Sequence, residues 1–549
     1  MKGKKWRVVI FILATSALVA FSVPTDRYFD IAKSLDIFAT LVKEVNANYV
    51  DEVDPKKLID TGINGMLQQL DPYTDYIPKE DMEAFSIQTT GEYAGIGALV
   101  GQVNHKTVIT YPYVGFPAYR AGIRVGDELV SINGKNVQGK PTGESSALLK
   151  GNPQTEVEVE IKRYGESGTV KFKLLREKIK ISNISYAGLI DKDLGYIKLD
   201  EFTPGAGREA AEAFTKLKSQ VATKLILDLR DNPGGSLYEA VNIVNIFIPK
   251  GKEVVSTRGK SPESNKTYNT LNNPIDLEMP LAILMSGSSA SASEIVAGSL
   301  QDYDRAVLVG QRTFGKGLVQ TTRQLAYDAQ LKITTAKYYI PSGRCIQALD
   351  YAHRHTDGTV TKFPDSLKRE FKTKIGRKVY DGAGLDPDIE VRPEGIAPMT
   401  LELASSGLVF EYASKYVGEN KLPQLMKSFR LNDSDYEKFT TWLKGQKFTF
   451  TPELEHKMDM LIASAKGEKY YDQLQSSLFD LKNKIVQARG NDLVRFKSEI
   501  GRVLEEEIAF HHLLSHGQVD VSIDRDAEIL AAKKMLSDQA KYHQLLSTQ

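Results

Sequence analysis

The sequence predicts an α/β protein centred on a parallel sheet, with a small strand-rich region ahead of it and helices at both ends. Two observations predict the sheet. Short apolar runs recur at Leu225–Leu229 (LILDL), Leu281–Met285 (LAILM) and Ala306–Gly310 (AVLVG), and stretches of helical pattern separate them. Runs of that length suit strands covered on both faces, and strands alternating with helices suit parallel pairing. A third observation is size: 549 residues suggest three or four domains. The 71 Lys and Arg against 70 Asp and Glu are balanced, so nothing in the charge points to a nucleic-acid partner.

At the N-terminus, Met1–Arg7 is basic and Val8–Phe21 is an apolar run of 14 residues. These are the n-region and h-region of a secretory signal, and the run is short for a membrane span of about 20 residues. Ala20-Phe21-Ser22 is a small-x-small cleavage site. The expectation is export, with residues 1–24 either removed or kept as an N-terminal anchor, the one route of membrane attachment. Cys345 is the only cysteine, which excludes an intrachain disulfide and leaves no lipoprotein anchor. Residues 25–86 read as helical: Ile31, Leu35, Phe38 and Val42 step by three and four, and a second helix spans Leu58–Leu70. Asp71–Tyr76 (DPYTDY) is turn chemistry.

From Gly91 the texture changes to short strands and turns. Gly91–Gly97 (GEYAGIG), Pro117–Ile123, Gly126–Leu129 and Ile132–Gly134 together resemble a PDZ domain, placed at 87–176. In such a domain a peptide adds as a strand, and its terminal carboxylate is held by backbone N–H groups. Gly95, Ile96 and Gly97 are the candidates for that carboxylate loop. The plainer reading is that the two glycines only permit a tight turn.

Residues 177–396 form the expected core. Strand Gly195–Leu199, helix Glu209–Leu217, strand Leu225–Arg230 and a helix from Glu239 to Phe247 alternate, with the turn Asp231-Asn-Pro-Gly234-Gly235 between the last two. After Leu281–Met285 the loop SGSSASAS leads into a helix, EIVAGSLQDY, then the strand AVLVG and TFGKGLVQ. This arrangement can set a serine hydroxyl beside the positive end of a helix, where N–H groups hold an oxyanion. Ser291 and Lys316 are the physical candidates. No histidine lies between Asp228 and Ala352, whereas a lysine desolvated by apolar neighbours can act as base. Phe314, Leu318 and Val319 flank Lys316, and Gly315 and Gly317 allow close approach. On a strand, Gln320 shares the lysine's face and can orient its amine without adding charge. Two plainer readings stand beside this. Ser291-x-x-Glu294 matches a capping box. Gly310-x-x-x-x-Gly315-Lys316 is near a phosphate-binding loop, but Gly317 stands where that motif needs Ser or Thr.

SASASEIVAGSLQDY followed by GQRTFGKGLVQ resembles the carboxyl-terminal processing proteases, the tail-specific serine peptidases of family S41. The resemblance implies Ser291 as nucleophile, Lys316 as general base and Gln320 as its support, with no cofactor and no metal. Asp302 also matches a family position. LDLRDNPGG matches the family's glycine turn, which implies an oxyanion hole formed by Gly234 or Gly235 together with Ala292. Gly65, Met66, Leu67, Asp71, Pro72, Thr74 and Tyr76 match a family signature to which packing is assigned. The resemblance further implies a crotonase- or Clp-protease-like core, with the PDZ domain, β-sandwich or barrel-like, inserted into or preceding it. Where the family often has serine this chain has Cys345, read as a small buried residue.

The strand Leu331–Tyr339 and a charged excursion over 350–383 follow, and Gly384–Ile389 closes the core. Residues 397–549 read as a helical domain. Tyr471, Leu474, Leu478, Leu481 and Ile485 form one apolar stripe, and Phe496, Ile500, Val503 and Leu504 another. His512 and His516, with no carboxylate partner nearby, read as packing or solvent-facing. The tail is a candidate surface for a homo-oligomer or an adaptor. The functional expectation is an exported serine endopeptidase of the bacterial periplasm or envelope, with protein substrates that carry free apolar C-termini. The alternative is an envelope scaffold or chaperone whose peptidase core is inactive.

Overall fold

The computed structural model describes residues 25–354, 358–393 and 395–547. The expected signal or anchor at 1–24 lies outside them. Among the described residues no helix is long and apolar enough to cross a membrane. The chain divides into two compact units, one of residues up to Lys79 with Gln320–Thr334, the other of Glu80–Val319 with Thr335 onward.

In the first unit, helices Thr25–Asn48 and Pro55–Gln68 precede the turn at Asp71. The Asp71 carboxylate accepts from the N–H groups of Tyr73 and Thr74, both at 2.8 Å, which makes the DPYT segment an Asx turn. Strand Asp75–Ile77 then pairs antiparallel with Gln330–Lys332. The expected apolar stripe of the first helix is present, with Ile31, Leu35 and Phe38 exposed and Val42 half-buried.

The second unit holds the core sheet: β1 Ile184–Leu189, β2 Leu194–Leu199, β3 Lys224–Asp228, β4 Leu281–Met285, β5 Val307–Gly310 and β6 Ile389–Glu390, in that spatial order. Strands β2 to β6 are parallel. The edge strand β1 runs antiparallel to β2, so the expected parallel sheet is mixed at one edge. Side chains alternate across it. Ile197, Leu225, Leu227, Leu281, Ile283 and Leu308 face the helices Ala206–Ser219, α1 (Leu237–Phe247) and α2 (Ala292–Asp302) in one core. Tyr196, Ile226, Ala282, Leu284, Val307 and Val309 face the other side.

That second face is covered by the C-terminal helices. Helix α3 (Lys497–Ser522) and helix α4 (Ala527–Ser537) bring Val519, Ile529, Ala532, Met535 and Leu536 onto it, and Ile523 and Tyr542 join them. The Tyr542 hydroxyl donates to the carbonyl of Leu281 and accepts from its N–H (3.3 and 2.9 Å). A parallel sheet needs both faces dry, and here the end of the chain supplies one of them. The expected helical tail therefore divides. Met399, Leu403, Tyr412, Phe439, Ile500, Leu504 and Ile508 build a separate bundle core, while Val519, Ile523, Tyr542 and the buried side of α4 belong to the sheet. The stripe read at Tyr471–Ile485 is only half buried: Leu478 and Ile485 pack, but Leu474 and Leu481 are exposed. His512 Nε2 donates to the Pro423 carbonyl, and the His516 ring lies 5.0 Å from that of Tyr186.

The PDZ-like region is an open antiparallel sheet of Ala98–Val103, Lys106–Pro112, Glu128–Ile132, Glu156–Lys162 and Val170–Leu175. It is not a closed sandwich or barrel. A separate pair, Glu92–Gly95 with Glu177–Lys180, joins its two ends. Ile96, Ile109, Ile123, Leu129, Val159 and Ile161 fill its core.

Candidate active site

Strand β4 ends at Met285, and six residues later the chain reaches Ser291, the residue preceding helix α2. Its backbone lies at φ 56°, ψ −112°. For a residue with a side chain this is a strained conformation, costing about 1–3 kcal/mol, and it persists only where the surroundings fix it. The surroundings do so through the neighbouring serines. Ser289 Oγ donates to the Leu229 carbonyl (2.7 Å) and Ser293 Oγ to the Asn232 carbonyl (3.0 Å). Both are buried, while Ser291 is partly exposed. Strain, a helix N-terminus and access to solvent thus coincide at one hydroxyl.

Glu294, one turn into α2 and wholly buried, organises the rest. One of its carboxylate oxygens, Oε2, accepts from the N–H of Ser291 (2.8 Å) and from the N–H of Lys316 (2.9 Å). The other, Oε1, accepts from Thr313 Oγ1 (2.5 Å) and the N–H of Gly315 (2.8 Å). The capping-box spacing is thus real, but its carboxylate also grips the lysine loop, so a single side chain fixes the serine and lysine segments together. Tyr338 adds a second tie: its N–H donates to the Gly317 carbonyl (3.0 Å) and its hydroxyl to the Ser291 carbonyl (3.2 Å). Glycine is required on both sides of Lys316. A Cβ at Gly315 would stand 2.4 Å from the Ala348 Cβ, and one at Gly317 2.8 Å from the Gln347 nitrogen. Leu318 is buried as expected beside the lysine, but Phe314 is about half exposed.

Burial pushes the Glu294 carboxyl up to about 7, against the four donors that favour its charged form. With its folded-state value raised, the folded protein holds this proton more tightly than the unfolded chain does, so stability falls as pH rises between about 4.5 and about 7. The variant Glu294→Gln should lose that dependence, a difference of about 3 kcal/mol between pH 5 and 8. Denaturant unfolding of both proteins at the two pH values measures it. Equal pH dependence in the two would contradict the assignment.

The turn after β3 brings the third component. Asn232 Nδ2 donates to the Leu199 carbonyl (2.8 Å), and its Oδ1 accepts from the N–H of Gly234 (2.9 Å). Gly234, at φ 97°, lies against the serine loop: a Cβ there would meet Ala290 O at 2.7 Å and Ala292 N and Ser291 Cβ at 2.8 Å. Gly235, at φ 148°, packs against Phe202 instead, and its N–H has no acceptor among the described residues. Ala292 opens α2, where first-turn N–H groups have no intrahelical acceptor.

The other expected residues have their own surroundings. Gln320 belongs to the first unit, where its amide donates to Thr334 Oγ1 (3.1 Å). Asp302 closes α2 at the opposite end from Ser291, about 15 Å along a helix of this length, and pairs with the buried Arg344 (2.9 Å). Its position marks a structural ion pair. Cys345 is partly buried, and burial pushes its thiol up, away from nucleophilic character. In the PDZ-like domain, Gly97 at φ 74° is required by Phe116, whose Cβ would lie 2.4 Å from a Cβ there. The Ile96 side chain is 1% exposed, so it fills the domain core, and of that residue only the backbone is left for a ligand. Thr313 and Tyr338 were not singled out from sequence, and Glu294 only as a helix cap.

A strained serine ahead of a helix, a glycine-flanked lysine fixed to it and a glycine turn facing it, on a parallel sheet beside a PDZ-like domain, define a serine-type peptidase. Comparison with known proteins agrees. Residues 193–352 match the model for peptidase family S41, residues 108–163 that for a PDZ domain, and residues 399–536 the "Probable PDZ-protease, C-terminal helical domain". Residues 25–81 match the "Activating protease CtpB N-terminal domain". The chain is 36% identical over 344 residues to the carboxy-terminal-processing protease of Bartonella bacilliformis, covering 62% of this chain and 79% of that one. It is 36% identical over 355 residues to a "Probable CtpA-like serine protease" of Staphylococcus aureus, covering 62% and 71%. Among solved structures, the photosystem II D1 C-terminal processing protease is 27% identical over 66% of this chain and 93% of that one, with a TM-score of 0.33. The chain belongs to peptidase family S41, among the carboxy-terminal-processing proteases with a PDZ domain.

Proposed function

We propose that the protein is an exported endopeptidase that cleaves with a Ser-Lys dyad and selects substrates by an apolar C-terminal tail. The observation that carries the dyad is the Glu294 carboxylate, which holds the N–H of Ser291 and the N–H of Lys316 on one oxygen. In this reading neutral Lys316 takes the proton as Ser291 Oγ attacks the scissile carbonyl. The tetrahedral oxyanion then accepts from Ala292 N–H and Gly235 N–H, since the N–H of Gly234 already bonds Asn232 Oδ1. Collapse expels the amine, which receives the proton from the lysine ammonium, and leaves an acyl ester on Ser291. Water, deprotonated by Lys316, completes hydrolysis. Gln320 is assigned to orient the lysine by its sequence spacing. The sheet is read as the crotonase- or Clp-protease-like kind on its parallel β2–β6 order.

Tail selection rests on the loop Gly95–Gly97, which leads into the edge strand Ala98–Val103 of the PDZ sheet. An added peptide strand there would set its carboxylate among the loop's N–H groups, and charge-assisted bonds of that kind are the strong ones. A substrate ending in an apolar residue with a free carboxylate should therefore be cleaved about tenfold faster than the same chain amidated. Steady-state rates on the two peptides measure this, and equal rates would contradict tail selection. Export rests on the basic Met1–Arg7 and the apolar Val8–Phe21. Fractionation of native cells should find the protein in the envelope or periplasm, and a cytosolic pool of full-length chain would contradict it.

A further inference from the structure

The Asn-Pro-Gly-Gly turn begins at Arg230, and Arg230 is held from two directions. Behind it stands Asp228, wholly buried at the end of β3. Arg230 Nη2 donates to Asp228 Oδ2 (2.6 Å), Nε to Oδ1 (3.0 Å), and the Arg230 N–H to Oδ1 (2.9 Å). Tyr196 Oη donates to the same carboxylate (2.5 Å). Arg230 holds the Asp228 carboxyl below its ordinary range, against the burial that would raise it. Ahead of Arg230 stands the start of α4. Nη1 donates to Asp526 Oδ2 (2.7 Å) and to the Glu528 carboxylate, and Gln311 Nε2 donates to Glu528 Oε1 (3.2 Å).

These contacts are partly sheltered from water. Side-chain exposures are 16% for Arg230, 19% for Asp526 and 14% for Glu528, so screening weakens them less than it would a surface pair. One guanidinium faces three carboxylates and has little freedom to turn. The next residue, Asp231, has φ 61°, uncommon for a residue with a side chain. Its N–H is tied to Ser286 Oγ (3.1 Å) in the loop that leads to Ser291. A strained turn of this kind keeps its shape only if its root is fixed, and the root is Arg230.

We infer that Asp526 and Glu528 are positioning residues of the peptidase: from the C-terminal helix they hold Arg230, and through it the glycine turn that faces Ser291. The inference rests on the reading of that turn as the oxyanion site. It makes the end of the chain part of the catalytic apparatus as well as a cover for the sheet. The plainer role, an ion pair that merely fastens α4, would affect stability without selectively affecting kcat.

The two roles separate in the full-length protein. Asp526 also caps α4, its carboxylate accepting from the N–H groups of Glu528 and Ile529. Asparagine keeps that cap while removing the charge. The variant D526N/E528Q should lower kcat on a peptide substrate by about tenfold or more, with KM within about twofold, because a small displacement of the oxyanion donors acts on the transition state. Added to R230Q, the same pair should lower kcat no further, since all three act through one guanidinium. Wild-type kcat in D526N/E528Q, or effects that multiply with those of R230Q, would overturn the inference. If the double variant fails to melt cooperatively, E528Q alone decides: a kcat lowered about threefold or more supports the inference and an unchanged kcat overturns it. Ser291→Ala is run alongside. Turnover surviving in Ser291→Ala would refute the peptidase assignment itself, whereas an inactive Ser291→Ala beside a fully active D526N/E528Q refutes only the positioning role.

Discussion

Ser291→Ala should lower turnover of an unfolded substrate by about ten-thousandfold or more, and Lys316→Ala should do the same. In the proposed mechanism serine, base and oxyanion donors act as one unit, so the double variant should be no slower than either single one. The fold should survive both changes. Losing the Ser291 hydroxyl removes its half of the capping box, but the loop keeps the Ser291 N–H bond to Glu294 and the bonds of the Ser289 and Ser293 hydroxyls. Lys316 is likewise fixed by its backbone N–H, which alanine retains. Thermal melting within a few degrees of wild type together with lost cleavage is the expected pair of results. Near-normal cleavage by Lys316→Ala would remove the lysine from the mechanism.

Truncation after Asp524 should unfold the catalytic core. It removes Ile529, Met535, Leu536 and Tyr542, each buried against the second face of the sheet. At about 1.5–3 kcal/mol per buried large apolar side chain the loss is about 6–12 kcal/mol, comparable with the whole stability of a domain. It also bares Ile226, Ala282, Leu284, Val307 and Val309, a strip that favours aggregation. Circular dichroism and size-exclusion chromatography of the truncated chain would show loss of cooperative folding or soluble aggregates. A monodisperse product with a wild-type melting temperature would show that the C-terminal cover is dispensable.

This dependence was hidden in the sequence for a definite reason. The runs LILDL, LAILM and AVLVG show strands buried on both faces, because every residue in them is apolar or, as with Asp228, paired inside. They do not say which helices cover which face. The apolar periodicity of Ile529, Ala532, Met535 and Leu536 marks a buried helix side, and it would look the same in a separate bundle. Periodicity also overstated burial at Leu474 and Leu481, which lie on the exposed side of their helix. Strand β1 carries no apolar run because all its residues but Tyr186 are partly buried or exposed, and β6 has only two residues. At the site, Ser291 and Lys316 were legible as candidates because glycine and small residues around them leave few other uses. The choice proposed between Gly234 and Gly235 was not, since it turns on where the Asn232 side chain points. Glu294 was legible as a cap, whereas its hold on Lys316 depends on a contact across 22 residues of chain.

The central claim is covalent catalysis at one serine among several in SGSSASAS. Acid-quenching the protein during turnover of a peptide ester, then digesting it and measuring peptide masses, tests that claim directly. An acyl group should be found on Ser291 in wild type and should be absent in Lys316→Ala. Acylation of Ser289 or Ser293, whose hydroxyls the structure gives to the Leu229 and Asn232 carbonyls, or no adduct under rapid turnover, would contradict it.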